Sequence, residues 1–284
     1  MRHEPVPPTG LARRGVRLSD EETARRMLAA AVAMVRRAGL TVSLEHIAIE
    51  EIIREAHVSR SAAYRRWPYK DLFLSDLVRE LAREAPEGLV VDELAMVRAI
   101  AGARAASLET AEERRALVLE LVRELSVLDF ESIAGSAEWC TYLALHATLL
   151  SLPEGDLRRD VQTALARSEE AHAASVARAW SLVCGLLGFR LRPDLGATFG
   201  TLATLVMATL RGLALTAVAL PDMGSRRLSA APPGAQAAAP WSLPGLAVAS
   251  LTSAFLEPDP EVVWDERRAG ELRSALARLG RGDG

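Results

Sequence analysis

The sequence predicts an all-α protein that is long enough for two domains. Apolar residues recur at helical spacing along much of the chain, and runs of alternating Val, Ile and Thr that indicate strands are hard to place anywhere. The chain has 284 residues, half of them hydrophobic, which allows a substantial core. We therefore expect a small N-terminal helical domain followed by a larger helical domain.

Charge is distributed unevenly along the chain. The formal net charge is −3, which argues against a protein that coats nucleic acid over its whole surface. Residues 1 to 84 nevertheless contain 15 Lys and Arg against 12 Asp and Glu, a charge of +3, so the remaining residues carry −6. The two ends of the chain therefore differ in electrostatic character.

The cysteines and the N-terminus predict a cytoplasmic protein. Cys140 and Cys184 lie in apolar helical patterns, which favours two buried thiols in a reducing compartment over a disulfide. The start of the chain lacks the apolar stretch of a secretory signal. Residues 195 to 210 are free of charge, but Arg211 ends that run and Thr and Gly are frequent in it. We expect a buried helix there and no membrane span.

Two helices are predicted before residue 57. The first opens at "SDEE", where Ser19 and Glu22 have capping-box spacing, and it ends near Gly39. The second is short and runs from about Ile49 to Ala56, where apolar residues return at helical spacing.

A third and a fourth helix follow a turn formed by "HVS". Ser59 is a suitable N-cap, and the third helix ends near Trp67 because Pro68 disfavours helical geometry in the residue before it. The fourth helix starts at Lys70, the only lysine of the chain, and runs toward Pro86.

The rest of the chain is predicted to be helical apart from one long connection. Residues 222–244 are rich in Pro, Ala, Gly and Ser without a pattern, which indicates a loop. The predicted helices span about 92–107, 111–129, 137–151, 157–187, 195–219, 245–256 and, weakly, 265–279.

The third helix has one apolar face that can pack against the protein, and its remaining faces are polar. Val58, Ala63 and Trp67 form an apolar side that can dock on the preceding helices. Arg60 with Tyr64, and Ser61 with Arg65, are spaced i, i+4 on the remaining surface. These groups are available to a partner.

The chemistry of these groups suits double-stranded DNA. Arg binds guanine bidentately in the major groove, Ser contacts any base, and Arg, Lys and Tyr bind phosphate oxygens. Two helices joined by a short turn, the second with exposed contact residues, form a helix-turn-helix, and residues 49–67 match that arrangement. The alternative is a solvated arginine face on an ordinary helical bundle.

The N-terminal region resembles the TetR family of bacterial transcription regulators. The resemblance lies in "IIREAHVSRSAAYRRWPYKDLF", preceded by a long amphipathic helix, and covers roughly residues 18 to 83. The later "GFRLRPD" and "TLATLVMATLRGLAL" are only loosely similar to the family's C-terminal half. The resemblance implies a homodimeric, ligand-responsive repressor that binds palindromic operator DNA.

The resemblance also implies roles for individual residues. Trp67 takes the place of a buried aromatic, whereas His57 stands where a turn glycine is usual. His57 is either a DNA contact or a residue that tolerates left-handed backbone geometry, and we favour the second. The segment from Gly39 to Ile52 is about four residues longer than is common in the family. Ser59 caps the recognition helix; the implied groove contacts are Arg60, Ser61 and Arg65, and the implied phosphate contacts are Tyr64 and Lys70.

These observations divide the chain into three parts. Residues 1–17 form a flexible basic arm in which Arg13, Arg14 and Arg17 are either a minor-groove contact or a leader without contacts. Residues 18–69 form the DNA-binding domain, and residues 70–284 form the helical ligand-binding and dimerisation domain. Small residues and the near absence of charge in helices 195–219 and 245–256 predict that these two helices form a twofold dimer interface.

A cavity for a small-molecule effector is predicted in the larger domain. Trp139, Tyr142, His146 and Trp180 lie among Leu, Ala and Val, and an apolar wall with a few polar groups is typical of such sites. The alternative is that they fill the core with satisfied polar tips.

The sequence gives little support to an enzyme. Glu169 and His172 have the Glu-x-x-His spacing of di-iron bundles, but a second such pair is missing, and neither a Gly-rich phosphate loop nor a Cys/His zinc cluster is present. We expect no cofactor and no metal. A helical homodimerisation module without DNA binding remains as the other alternative.

Overall fold

The structure is a computed structural model, and it describes residues 18–38, 47–84 and 108–279. The basic arm at 1–17 and the helix predicted at 92–107 lie outside the described residues. In the described part the chain is all-α, as predicted, with two small two-stranded sheets added.

Four helices make up the N-terminal part: α1 (Asp20–Ala38), α2 (Ile49–Glu55), α3 (Arg60–Arg66) and α4 (Lys70–Arg83). The predicted cap of α1 is present, since the backbone N–H of Glu22 donates to Ser19 Oγ at 3.0 Å. Helix α1 packs against α2, α3 and α4. This small bundle buries Met27, Ile52, Trp67, Phe73 and Leu77 almost completely.

Six helices form the described C-terminal part: α5 (Ala111–Gly135), α6 (Ala137–Ser151), α7 (Asp156–Leu187), α8 (Phe199–Ala219), α9 (Leu243–Phe255) and α10 (Glu266–Leu279). Side-chain caps fix several starts, among them Thr110 and Thr198 with complete capping boxes, and Ser136 and Ser242. Helix α5 continues to Gly135, six residues beyond its predicted end, because the break in "AGSAE" falls only at Ser136.

The predicted start of the helix at 195 is wrong. Leu195 ends a short 3-10 turn and Gly196 has φ +56°, a left-handed conformation that favours glycine, so α8 begins only after the Thr198 cap. Gly196 and Gly200 therefore do not form a small-residue pair on one helix.

The assignment of residues 222–244 to a loop is also wrong in part. Strands β2 (Arg227–Ala230) and β3 (Ala239–Ser242) pair as an antiparallel hairpin, with Trp241 buried. A second antiparallel pair joins β1 (Phe189–Leu191) to β4 (Leu256–Pro258), and an ion pair between Arg190 and Glu257 bridges its central register position. The pairing of β1 with β4 joins segments that are distant in sequence, and the strands of the hairpin are too short to show a pattern, so the sequence signals neither pairing.

The helices of the C-terminal part pack around α8. Helix α8 contacts α5, α7 and α9, and α9 is covered by α5 and α8. The expectation that α9 lacks cover within one subunit is therefore wrong for most of its surface, although Ser250 and Ala254 are exposed. Helix α4 packs on α6 and α7, so the two parts of the chain are in contact.

Helix α8 is buried on one side only. In the described part of the chain it is the helix that is long and apolar enough to cross a membrane by length and composition, and a third of its apolar window is buried. The expectation of a buried helix therefore holds for one side of α8 only. Its outward face carries no charged residue and consists of Thr201, Thr204, Leu205, Ala208, Gly212, Leu215, Thr216 and Ala219.

The two cysteines are both free thiols, as expected, but only Cys184 is buried. Cys140 is exposed on α6, which corrects the prediction for that residue. Its neighbour Trp139 faces the core instead, since adjacent residues of a helix point in different directions.

Candidate nucleic-acid interface and ligand cavity

Helix α3 begins with the predicted cap. Ser59 has extended backbone angles, and its Oγ accepts a hydrogen bond of 3.2 Å from the N–H of Ala62. The turn before it contains His57 at φ +52°, the one left-handed residue other than glycine in the described ranges. The interpretation of His57 as a backbone-tolerant turn residue is thereby confirmed.

The packing face of α3 is the predicted one, with Ala62 added. Ala62, Ala63 and Trp67 are buried, and Trp67 is only 1% exposed. The Trp67 ring meets Phe73 edge to face at 5.0 Å between centroids, and its Nε1–H donates to Asp76 Oδ2 at 2.9 Å. These contacts fix α3 against α4 and determine which side chains point outward.

Arg60 and Tyr64 lie on the outward side and share one carboxylate. The Arg60 side chain is 72% exposed, with its guanidinium 3.5 Å from Glu50 Oε1. Tyr64 is 41% exposed, and its hydroxyl donates to the same Glu50 oxygen at 2.8 Å. This hydrogen bond raises the pKa of Tyr64, so the phenol remains a hydrogen-bond donor.

Ser61, Arg65 and Lys70 complete the set of predicted contact residues. Ser61 Oγ lies 3.2 Å from Ser59 Oγ, and the Arg65 Nε–H donates to Asp20 Oδ1 of α1 at 2.9 Å. Lys70 is the first residue of α4 and is exposed. All six predicted residues therefore lie on α3, at its cap or at the adjoining start of α4.

The acidic partners of this surface are an observation that the sequence did not suggest. Glu50 and Asp20 hold Arg60, Tyr64 and Arg65 in place without burying them. Exposed ion pairs of this kind contribute only about 0 to 1 kcal/mol, less than the roughly 1.5 to 3 kcal/mol typical of hydrogen bonds to a charged group. Arg60, Tyr64 and Arg65 can therefore exchange these carboxylates for another anionic group at little energetic cost.

A cavity lies inside the C-terminal part, between α5, α6, α7, α8 and α9. Its empty volume is about 860 Å³, including the portion that opens to solvent. The wall is mainly aliphatic and aromatic, as is usual for small-molecule sites. The apolar lining comprises Val118, Leu121, Val122, Leu125, Ile133, Trp139, Val176, Ala179, Trp180, Val183, Val206, Met207, Leu210 and Val248.

Four polar side chains interrupt this apolar wall: Ser126, Asp129, His172 and Arg211. Burial raises the pKa of Asp129 to about 6. Burial, and then the positive charge of Arg211, lower the pKa of His172 to about 4, so the imidazole is neutral at physiological pH. The cavity thus contains a carboxylate, a neutral imidazole and a guanidinium.

Arg211 is engaged by a network behind the wall. It hydrogen-bonds Glu169, which also accepts from the hydroxyl of Tyr142 and lies 3.5 Å from His146 Nε2. The Arg211 guanidinium stacks 4.7 Å from the centroid of Trp139. Burial opposes the charge of Glu169, but the hydrogen bonds from Arg211 and Tyr142 outweigh it and lower the pKa of Glu169.

The structure brings two of the four predicted ligand residues into the cavity wall. Trp139 and Trp180 line it, whereas Tyr142 and His146 lie outside it and belong to the network around Glu169. Tyr142 instead borders a second cleft, where α6 faces Arg36, Leu81 and Glu84 of the N-terminal part.

Sequence reasoning missed the polar residues of the cavity. The sequence does contain a signal for Arg211, since it is the single charge in the 25-residue apolar run 195–219, but the composition of that run points only to a membrane span or a dimer interface. Asp129 lies between Leu128 and Phe130 in an apolar helix, which is a comparable signal. Glu169 and His172 were considered only as metal ligands.

No model of a known protein family matches the chain, and no curated protein matches it. Among solved structures, a transcriptional regulator of the TetR family from Agrobacterium tumefaciens is 16% identical, with a TM-score of 0.39, over 71% of this chain and 90% of that one. The reduced form of E. coli NemR is 14% identical, with a TM-score of 0.41, over 82% and 98% of the two chains.

Proposed function

We propose that this protein is a TetR-like transcription regulator, a cytoplasmic homodimeric repressor that binds palindromic operator DNA and is released by a small-molecule effector. The observation that carries the proposal is the construction of α3. A seven-residue helix and its C-cap bury Ala63 and Trp67, and the helix presents Arg60, Ser61 and Tyr64 outward, with Arg65 beside them. A helix of this size and polarity fits the major groove of B-DNA. The proposal involves no catalytic step, cofactor or metal.

The uncharged outward face of α8 supports the homodimer. Leu205 and Leu215 are exposed on it, and Ala208 and Gly212 between them allow close approach of a second helix. A twofold axis at α8, with the exposed edge of α9 beside it, buries this face in both subunits. The dimer then presents two copies of α3 to one side of a duplex, as a palindromic operator requires.

Contacts between the two parts of the chain support release by an effector. Helix α7 lines the cavity, and its Asp160 accepts a hydrogen bond of 2.9 Å from Arg79 of α4. Arg79 also donates to Asp76, the carboxylate that holds the Trp67 indole. A ligand that shifts α7 therefore acts on the support of α3, and its differential affinity for the two arrangements supplies the energy.

DNA recognition is tested by selecting bound sequences from random duplex DNA with the full chain. We expect a palindromic consensus. With the selected duplex, Arg60→Ala should cost about 1 to 3 kcal/mol and relax preference at one base position per half-site, whereas Lys70→Ala should weaken all sequences alike and reduce the salt dependence.

Arg83→Ala is the matched control for these variants. Arg83 is an exposed arginine of the same helix as Lys70 and lies at its other end, about 20 Å away at 1.5 Å per residue. It should leave both affinity and sequence preference unchanged. A stable dimer without sequence-selective DNA binding would contradict the proposal and support the alternative of a helical dimerisation module.

A further inference from the structure

Asp129 is the feature of the cavity that the proposed function does not use. Its carboxylate lies in the cavity wall beside apolar residues of α5, and within the described ranges no residue hydrogen-bonds it or forms an ion pair with it. Burial is the cause of its raised pKa, and no neighbouring cation lowers it. Asp129 is half-buried, and a carboxylate that is largely withdrawn from water without a partner is unfavourable; a cation brought by a ligand relieves this.

The other charged and titratable groups of the cavity do not attract an anion. Arg211 is compensated by Glu169, and its guanidinium occupies the face of Trp139. His172 is buried and neutral at physiological pH. The uncompensated charge of the lining, among the residues that the structure describes, is therefore the negative charge of Asp129.

The rest of the wall suits an apolar ligand with an aromatic or aliphatic body. Leu121, Val122, Val183 and Leu210 provide aliphatic surface, and the half-buried Trp180 ring provides an aromatic face. Tryptophan rings attract organic cations through their faces as well as apolar groups through contact area. The same wall therefore accommodates the body of the ligand and tolerates its charged end.

We propose that the cavity selects a hydrophobic amine, whose ammonium group pairs with the Asp129 carboxylate while its apolar body lies among the aliphatic residues and Trp180. This inference rests on the proposed function, because it names the chemical class of the effector for the same cavity.

Three probes with one body and different ends test the inference: 4-phenylbutylamine, 4-phenylbutan-1-ol and 4-phenylbutyric acid. Isothermal titration calorimetry with the full chain at pH 7.5, without DNA, should give affinities in the order amine, alcohol, acid. We expect the amine to bind at least tenfold more tightly than the alcohol. Tightest binding of the acid, or no measurable binding of any probe, overturns the inference.

Asp129→Asn separates the charge from the shape of the cavity. The substitution should reduce the affinity for the amine at least tenfold. The affinity for the alcohol should stay within about twofold of the wild-type value, and this result also shows that the cavity is still folded. Glu131→Gln, an exposed carboxylate two residues away on α5, is the matched control and should change neither. Equal amine affinity in Asp129→Asn and the wild type overturns the inference.

The outcome is distinguishable from a failure of the proposed function. Sequence-selective DNA binding together with preference for the acid means that the regulator is correctly identified and the effector class is wrong. Amine binding that depends on Asp129 without DNA binding means that the cavity is correctly interpreted and the regulator is not.

Discussion

The N-terminal bundle and the C-terminal helices contain sites of different construction. The contact surface of the first comes from α3, its cap and the start of α4, within twelve residues of sequence. The cavity of the second is assembled from α5, α6, α7, α8 and α9, over more than 130 residues. A surface site on one short helix follows from local spacing, whereas a cavity depends on which helices become neighbours.

The largest effect on stability and DNA binding is expected when the side chain that fixes α3 against α4 is removed. Trp67→Ala deletes a side chain that is 1% exposed, contacts Phe73 and hydrogen-bonds Asp76. We expect it to lower the free energy of unfolding of the N-terminal bundle by about 3 to 5 kcal/mol and to abolish DNA binding. Urea denaturation followed by circular dichroism measures the loss.

Tyr69→Ala is the control for that variant, since Tyr69 is an aromatic residue two positions away that is 73% exposed. It should change stability by less than about 0.5 kcal/mol. The cavity should still bind its probes in Trp67→Ala, because no residue of its wall belongs to the N-terminal bundle. Loss of probe binding would show that the two parts do not behave as separate sites.

The N-terminal elements could be predicted because each has a local cause. Ser59 as a cap and Pro68 as a stop place α3 between them, and the i, i+4 spacing of Ala63 and Trp67 identifies its buried side. The contacts of the outward residues could not be predicted in the same way. Glu50 and Asp20 meet α3 only through the packing of α1 and α2, which the spacing within α3 does not specify.

In the C-terminal part the helices could be predicted and their mutual arrangement could not. The bounds of α6 and α7 agree with the predicted ones within one residue, since apolar periodicity and caps are local. The sequence predicts Tyr142 and His146 in the same cavity wall as Trp139 because all three are polar-tipped or aromatic residues among apolar ones, yet Tyr142 and His146 face Glu169 on α7. The hairpin of β2 and β3 could not be predicted for another reason, because its four-residue strands are too short to show a pattern within a Pro- and Ala-rich segment.

The next largest effect concerns the network behind the cavity. Glu169→Ala removes the acceptor of Arg211 and Tyr142 and leaves a mostly buried guanidinium without its carboxylate. We expect a loss of about 1 to 3 kcal/mol in the free energy of unfolding. Glu170→Ala, at the neighbouring exposed position of α7, should change it by less than about 0.5 kcal/mol. Equal losses in both variants would contradict the role of the network.

Asp129→Asn should raise the free energy of unfolding, whereas Glu169→Ala lowers it. The pKa of Asp129 is raised from 3.8 to about 6, so ionisation of this group weakens the folded state as pH rises through that range. A pKa change of one unit corresponds to about 1.4 kcal/mol, and partial exposure reduces this value. The free energy of unfolding of the variant should therefore exceed that of wild type by about 1 to 2 kcal/mol at pH 7.5. Urea denaturation at pH 7.5 measures the gain.

The pH profile of that gain identifies its source. The difference between Asp129→Asn and wild type should shrink as pH falls from 6 toward 3.8, because the folded-state carboxyl becomes protonated over this range and no longer destabilises the fold. His172 and Arg211 line the same cavity, and protonation of His172 destabilises both proteins as pH falls through 6.5 toward 4, so it cancels in the difference. A gain that does not vary with pH would show that packing, and not charge, is its cause.

The smallest effect is expected at the surface of the local site, and it tests whether Glu50 competes with DNA. Glu50→Gln removes the negative charge beside Arg60 and Tyr64 while it keeps a hydrogen-bond acceptor at the same place. Because an exposed pair is worth about 0 to 1 kcal/mol, we expect unchanged stability and a two- to fivefold gain in DNA affinity at low salt that shrinks as salt rises. Fluorescence anisotropy with the selected duplex measures it, with Glu51→Gln, the exposed neighbour on α2, as the control. A loss of DNA affinity in Glu50→Gln would mean that the carboxylate orients Arg60 and Tyr64 for DNA. The hypothesis that Glu50 competes with DNA phosphates for these two residues would then be wrong.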